Sequence, residues 1–419
     1  MRIDNIRAEL NVGGRQQIGR CIIKLHLHIG TEKTGTTSFQ HWTLREQTAL
    51  AAKGILQPNW PEKFVYSGTH RMLAVYGQGF EPYDDGQAPL GLTTRAEYTA
   101  LCQDFEQALD DEIENSADGA WILSSEHMHS RLKTVEQVQR LAALLQPRFS
   151  EITVHIHLRP QVDMVSSMAS TLARIGLPVS EKNFAKVNPD STYYNFSTLV
   201  ARWETVFGAA HVRVIPYKRQ RSICQYFLNL WQLDPADFGP ELEVNGGVDW
   251  RTMALVNHIH PHRQQVSDPE GLRKAIAAVP VQAKLQIGMA RAKEITARMQ
   301  ASNCALVQAR PELTMDDFEP DWAKYDQPEN LSRVMAACEF SAQMVSVISE
   351  LQAELNLEKA RLKVSQAEKL LGLGKKWKAK ERFADASELL LQIEPVWGRR
   401  RAFTRLRNYI SKVVLDELG

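Results

Sequence analysis

The chain has 419 residues, 44% of them hydrophobic and 24% charged, which is an ordinary balance for a soluble globular protein with one large domain plus an appendage, or two modest domains. Basic and acidic residues number 50 and 49, a formal charge of +1, so bulk charge argues neither for nor against an anionic partner. Five scattered cysteines without a C-x-x-C pair exclude a disulfide framework or zinc ribbon and suit a reducing cytoplasm, and no apolar run reaches the length of a membrane span.

Residues 1–20 lack the apolar core of a signal peptide and read as a disordered leader. From Cys21 the chain alternates, with Ile23, Leu25, Leu27 and Ile29 separated by Lys24, His26 and His28, which predicts a β-strand. Gly30-Thr-Glu-Lys-Thr-Gly35 follows, and a helix is expected from Thr36 through Leu50. A glycine-bounded loop between strand and helix directs free backbone N–H groups and the positive helix end at one point, the makings of an anion cradle. Its glycines have the spacing of a Walker A loop, but Thr36 stands where the Walker lysine belongs and Lys33 lies inside the loop.

A short strand is expected over residues 53–58, ended by Pro58. Residues 59–98, rich in Gly, Pro, Tyr and Asp and containing His70, read as a substrate-facing loop or lid. Helices are predicted over residues 95–114 and 135–145, on either side of a buried strand at Trp121–Ser125 with Glu126 and His127 at its end. Residues 152–158 form a strong strand ended by Arg159-Pro160, and a helix capped by Asp163 runs to Arg174. A helix at 195–207, a strand at 212–216 and a helix at 219–233 complete the alternation. Strands alternating with helices predict an α/β fold, a parallel sheet sandwiched by helices, with ligands at the C-terminal strand ends. The Gly30 loop, Glu126 and Arg159 all fall at such ends.

Beyond Trp250 the pattern is helical, over 251–262 and 269–302, and the aromatics of the 318–325 stretch are expected to pack back on the core. A long helix is predicted from Leu331 to Ala367, with Met344, Ile348, Leu351, Leu355 and Leu362 at helical spacing. Residues 367–391 resemble a tetratricopeptide unit, with Ala367, Leu370, Gly374, Ala379, Phe383 and Ala386 at its small and large positions. The domains are therefore expected at 21–328 and 329–419, the second an α-helical C-terminal extension. From Arg361 onward, 14 basic residues stand against seven acidic ones. The surplus suits a protein partner, a polyanionic glycan or the anionic inner face of a membrane, and solvated helix faces account for it equally well. A cytoplasmic protein, peripheral at that face, is the expected location.

In the Lys33-Thr34-Gly35-Thr36-Thr37-Ser38 loop, Gly35 permits close backbone approach, the hydroxyls add donors, and Lys33 brings a charge that can follow a leaving oxygen. This run resembles the 5′-phosphosulfate loop, [RK]-x-G-T-T, of sulfotransferases that use 3′-phosphoadenosine 5′-phosphosulfate (PAPS). The second signature of that family is an arginine at a strand end and a serine eight residues later; Arg159 and Ser167 stand so here, with proline directly after the arginine. The chain is most similar to bacterial carbohydrate-type members, matching at His28 through Gln40, Ser124-Ser125-Glu126 and Pro216-Tyr217, and Asn245 resembles an asparagine found at this point in such sequences.

The resemblance implies a P-loop-like α/β core over residues 21–328. It assigns Lys33, Thr34, Gly35, Thr36, Thr37 and Ser38 to the 5′-phosphosulfate, and Arg159 and Ser167 to the 3′-phosphate. Tyr217 is a candidate to stack on adenine. The implied reaction is in-line sulfuryl transfer to an acceptor hydroxyl or amine, read here as a hydroxyl of a carbohydrate or glycoconjugate such as a glycolipid, without a metal; no role for nucleic acid is expected. The acceptor needs a general base; Glu126 is preferred, with His70 and His127 as rivals. The His-x-His pairs at residues 26, 127, 155 and 258 are read as packing or hydrogen-bonded groups rather than metal ligands. Two other readings remain. One is a P-loop nucleotide kinase or ATPase, weakened by Thr36 at the lysine position; the other is a non-catalytic glycan-assembly adaptor, weakened by the presence of Lys33, Arg159 and Ser167.

Overall fold

The computed structural model describes residues 23–61, 63–65, 68–81, 84, 87, 90–241, 247–266, 268–336, 341–397 and 401–417. The expected leader therefore lies outside the described residues. The chain forms two interleaved compact units, the first from the segment up to Pro160 with Pro189–Asn245 and Met299–Glu319, the second from Gln161–Asn188, Gly246–Arg298 and Pro320–Gly419.

The first unit is built on five strands: β1 (Ile23–His28), β2 (Ile55–Leu56), β3 (Gly119–Ser124), β4 (Glu151–Leu158) and β5 (Val212–Pro216). They form one parallel sheet in the order β2-β3-β1-β4-β5. Parallel strands need helical crossovers and are buried on both faces. One face carries Leu25, Leu27, Trp121, Leu123, Val154 and Ile156, all at most 1% exposed, and the Phe196–Phe207 helix packs on β4 and β5. The other face carries His26, His28, His155 and His157, covered by Phe39 of the Thr36–Arg45 helix and by Tyr226 and Phe227 of the Ile223–Leu230 helix. This is an α/β, P-loop-like parallel sheet sandwiched by helices, with β1 at its centre and the glycine loop at the C-terminal end of β1.

Local chemistry sets the element ends. Thr94 and Glu97 form a capping box that starts the Arg95–Glu114 helix, and Thr134 with Gln137 does the same for Val135–Leu145. Both helices run over the residues expected. The helix predicted to reach Leu50 instead stops at Arg45 and restarts as Gln47–Ala51. The lid expected over 59–98 is corrected. Within it Arg71–Gln78 is a helix with six consecutive buried residues, Met72 to Gly77, and belongs to the interior.

In the second unit the Gln161–Arg174 helix begins two residues before Asp163, so Asp163 is not its cap. Its buried carboxylate instead accepts from Tyr325 Oη at 2.6 Å and pairs with Lys324 at 3.5 Å. Tyr325 is thus buried as expected, and so is Phe318 in the first unit, against Phe196; Trp322 stays half-buried. The helix expected over 269–302 is two, Pro269–Ala278 and Met289–Ala309. Val279 precedes Pro280 and takes an extended conformation (ψ 123°), as the residue before proline must when αR is blocked. The C-terminal region is helical: Ser341–Gly372, Lys376–Trp397 and Arg401–Glu417. Gly374 at φ 70° turns the first helix into the second, and Ala353, Leu357, Ala360, Val364 and Ala367 bury against Ala379, Phe383, Ala386 and Leu390. Of the predicted stripe, Ile348 packs against Ile259 and Val266, whereas Leu351, Leu355 and Leu362 are exposed.

Candidate active site

The loop after β1 is stitched to β4. Ile29 N donates to His155 O at 3.1 Å, and Thr31 donates through both its N–H and its hydroxyl to His157 O at 2.9 Å. Gly30 (φ 67°), Lys33 (φ 71°) and Gly35 (φ 99°) curl the chain through the left-handed region three times within six residues. Only glycine is comfortable there, so a lysine in that conformation must be held by its surroundings.

Inside the curl, Thr34 Oγ1 donates to Thr31 O at 2.6 Å and lies 3.5 Å from Thr36 Oγ1. Thr31, Thr34 and Thr36 are buried. The Thr34 hydroxyl, expected to face an anion, braces the loop instead. Lys33, Gly35, Thr37 and Ser38 remain half-buried or exposed. Gly35 gives the Thr36–Arg45 helix no side-chain cap, and its first turn carries no acidic residue. Its positive dipole end therefore stands at the loop with no acidic side chain in the first turn, an arrangement that suits an anion.

Arg159 closes one side of the loop. Its Nη1 donates to Lys33 O at 2.8 Å, and its guanidinium lies 5.3 Å from the centre of the Tyr217 ring. Tyr217 is placed there because its N–H continues the β4–β5 ladder, donating to Leu158 O at 2.7 Å. Three residues from distant positions, Lys33, Arg159 and Tyr217, are thus gathered at adjoining strand ends. Ser167 is half-buried on the Gln161–Arg174 helix of the second unit.

Glu126 closes the other side. A β-carbon on Gly30 would stand 3.0 Å from Thr36 Oγ1 and 3.4 Å from Glu126 Cβ, so the bare glycine lets Glu126 lie directly on the loop. Gln40 donates to Glu126 Oε2 at 2.8 Å and to Ser124 O at 3.3 Å, fixing the carboxylate against the loop helix. His28 Nδ1 meets Ser124 Oγ at 2.8 Å beneath it.

His70 stands in the interior, not on a lid. It is 3% exposed, and its Nδ1 lies 3.1 Å from the Ser124 N–H and 3.2 Å from the Ser124 carbonyl oxygen. Trp60 packs edge-on against the ring, and burial pulls its pKa down to about 4. Next to Glu126, His127 Nδ1 lies 2.7 Å from Arg131, whose Nε donates to Asp84 at 3.1 Å. Burial lowers the His127 pKa.

Glu32 and Tyr193 carry no role in the sequence reading and His129 only a packing one, yet all three join the loop. Tyr193 Oη donates to Glu32 Oε2 at 2.9 Å, and the Tyr193 and His129 rings lie 4.5 Å apart. His129 Nε2 is 2.9 Å from Tyr193 O, and the Glu32 N–H donates to its Nδ1 at 3.4 Å. Burial and the Glu32 charge push the Tyr193 hydroxyl well above its usual range. The available signal is Glu32 itself: a carboxylate inside an anion loop requires a partner, and the Tyr193-Tyr194 pair is the aromatic–hydroxyl cluster able to supply one.

Under the site the sheet histidines form a layer. His26 and His155 meet at 3.1 Å, His155 also reaches Tyr226 Oη at 2.9 Å, and His157 packs edge-on against His28 and Tyr226. Burial lowers all four pKa values, His26 to about 4 and His157 to about 3. Among the described residues no group of three His, Cys, Asp or Glu side chains is placed as a metal cluster, and no helix is long and apolar enough to cross a membrane. Asn245 lies outside the described residues.

No protein-family model and no curated protein matches the chain. Among solved structures it is similar to a sulfotransferase from Alicyclobacillus acidocaldarius, at 16% identity and a TM-score of 0.40, over 72% of this chain and 100% of that one.

Proposed function

We propose that the chain is a PAPS-dependent sulfotransferase that sulfates a hydroxyl of a carbohydrate or glycolipid. The observation that carries the proposal is the Arg159–Lys33 contact, which joins an arginine at a strand end to an uncapped, anion-ready loop containing the one lysine. A two-phosphate donor needs two anion sites at a fixed spacing. The loop suits the 5′-phosphosulfate, while Arg159 suits the 3′-phosphate, and Ser167, eight residues later in the sequence, is the second residue proposed for that phosphate. The Tyr217 ring beside the Arg159 guanidinium suits the adenine.

Bound there, the donor supplies an activated sulfuryl group whose leaving group is a phosphate oxygen. Lys33 offsets the charge that develops on that oxygen, together with the N–H groups of Gly35, Thr36, Thr37 and Ser38. Glu126 takes the proton from the acceptor hydroxyl, so that an O–S bond forms as the bridging S–O bond breaks. Gln40 holds the Glu126 carboxylate with one hydrogen bond and leaves its other oxygen for that task. His70 and His127 are weaker candidates, His70 because it is buried in the interior and His127 because its Nδ1 faces the Arg131 guanidinium. The C-terminal hairpin, a tetratricopeptide-like unit in this proposal, would offer its basic surface to a protein partner or an anionic surface.

Transfer of labelled sulfate from PAPS to glycan and glycolipid acceptors tests the assignment. Wild-type protein should label an acceptor, and Lys33→Ala should reduce turnover by about 10²–10³-fold. Labelling by Lys33→Ala at the wild-type rate would refute the role of the lysine.

A further inference from the structure

We infer that the Ser341–Gly372 helix is a dimerisation element, pairing antiparallel with the same helix of a second copy. The inference is independent of the proposed catalysis. The helix carries two apolar stripes. One, Ala353, Leu357, Ala360, Val364 and Ala367, is at most 6% exposed and is buried by the following helix. The other, Val347, Leu351, Leu355 and Leu362, is 59, 60, 54 and 59% exposed.

At about 100° per residue the second stripe spans a sector of roughly 80° on the side opposite the first, with the exposed Glu358 in the same sector between Leu355 and Leu362. A helix with apolar side chains on two opposed faces is built for two neighbours. The spacing of four and seven residues from Leu351 to Leu355 and Leu362 is that of a coiled-coil seam. Beside the stripe, Ile348 packs on Ile259 and Val266, and Gln352 donates to Asp268 O at 3.1 Å, so the helix is anchored by a flank and the seam is left outside.

Charge selects the occupant. Residues 350–358 hold three acidic side chains, Glu350, Glu354 and Glu358, and no basic one. Residues 359–369 hold four basic side chains and one acidic, Glu368. A parallel copy would set like charges against each other, whereas an antiparallel copy sets each acidic half against a basic half. A two-fold axis near residues 356–358 places Leu351 against Leu362 of the second copy and Glu354 near its Arg361, which lies on the same flank of the seam, a self-complementary pairing of the kind a C2 dimer requires. The Glu358–Arg361 ion pair does not oppose this, because both partners are about half exposed or more and such i,i+3 pairs on a helix surface are weak.

The seam covers some four turns, so the dimer should be concentration-dependent. Sedimentation velocity and light scattering on the full chain at about 1 to 100 μM measure it. We expect a monomer–dimer equilibrium that Leu351→Glu with Leu355→Glu shifts to monomer by at least tenfold in Kd, with unchanged far-UV dichroism, since both side chains already face solvent. Glu354→Lys should weaken the dimer, and adding Arg361→Glu should restore it. A monomer at every concentration, or a dimer indifferent to the leucine and charge substitutions, would overturn the inference.

Discussion

Arg159 Nη1 donates to the carbonyl of Lys33 at 2.8 Å, and Lys33 is held at φ 71°. One guanidinium therefore both faces the proposed 3′-phosphate position and secures the backbone of the lysine proposed to act on the leaving oxygen. Arg159→Ala should then harm two quantities at once. A hydrogen bond from a charged group contributes about 1.5–3 kcal/mol, or roughly 10- to 150-fold, so affinity for adenosine 3′,5′-bisphosphate should fall in that range. Turnover at saturating donor should fall too, because Lys33 loses its anchor. Arg159→Lys keeps the charge without the planar fork and should recover part of the affinity. Loss of affinity with unchanged kcat would show that the contact with Lys33 does not position it.

Glu126 is the proposed base, and its carboxylate is positioned by Gln40 and by the absence of a side chain at Gly30. Glu126→Gln should keep bisphosphate affinity within about twofold and lower kcat by ~10²–10⁴-fold. Stopped assays with a labelled acceptor, run beside calorimetry, separate the two effects. If the rate survives and His70→Ala abolishes it, the base is His70.

Gly30→Ala tests the loop itself. A β-carbon there meets Thr36 Oγ1 at 3.0 Å on a residue at φ 67°. The left-handed conformation alone costs an L-residue about 1–2 kcal/mol, and the crowding pushes on Glu126. A lower thermal midpoint and a lower kcat are expected together. An unchanged midpoint would mean that the loop relaxes at no cost.

Acid should unfold the sheet. The buried His26, His70 and His157 have folded pKa values of about 4, 4 and 3 against an ordinary 6.5, because burial disfavours the charged ring. The unfolded chain binds these protons first, so folded-state stability is complete above pH 6.5 and declines as pH falls from 6.5 toward 4. Each tenfold loss of proton affinity on folding corresponds to about 1.4 kcal/mol. Urea midpoints at pH 7.5, 6, 5 and 4.5 should therefore decrease steadily, whereas a flat profile down to pH 4.5 would contradict the neutral histidine layer.

Much of this is legible in the sequence because it is local. The Ile23–Ile29 alternation, the capping residues Thr94 and Thr134, and the Gly30–Gly35 loop each announce themselves within a few residues. The relationships that organise the site are not local. Tyr193 reaches Glu32, and Arg159 reaches Lys33, across well over a hundred residues, and no spacing rule encodes such contacts. The buried Arg71–Gln78 helix is hidden because the polar residues around it dominate composition over 59–98. The exposed line of Leu351, Leu355 and Leu362 reads as a packed face because periodicity reveals that a stripe exists, not which stripe is covered.

The most direct test of the sulfotransferase assignment is calorimetric titration of the full chain with adenosine 3′,5′-bisphosphate, without added metal, in wild type and Arg159→Ala. Wild type should bind it stoichiometrically, and in the variant binding should be lost or weakened at least tenfold. Binding of ATP with Mg²⁺ alone, and none of the bisphosphate, would contradict the assignment.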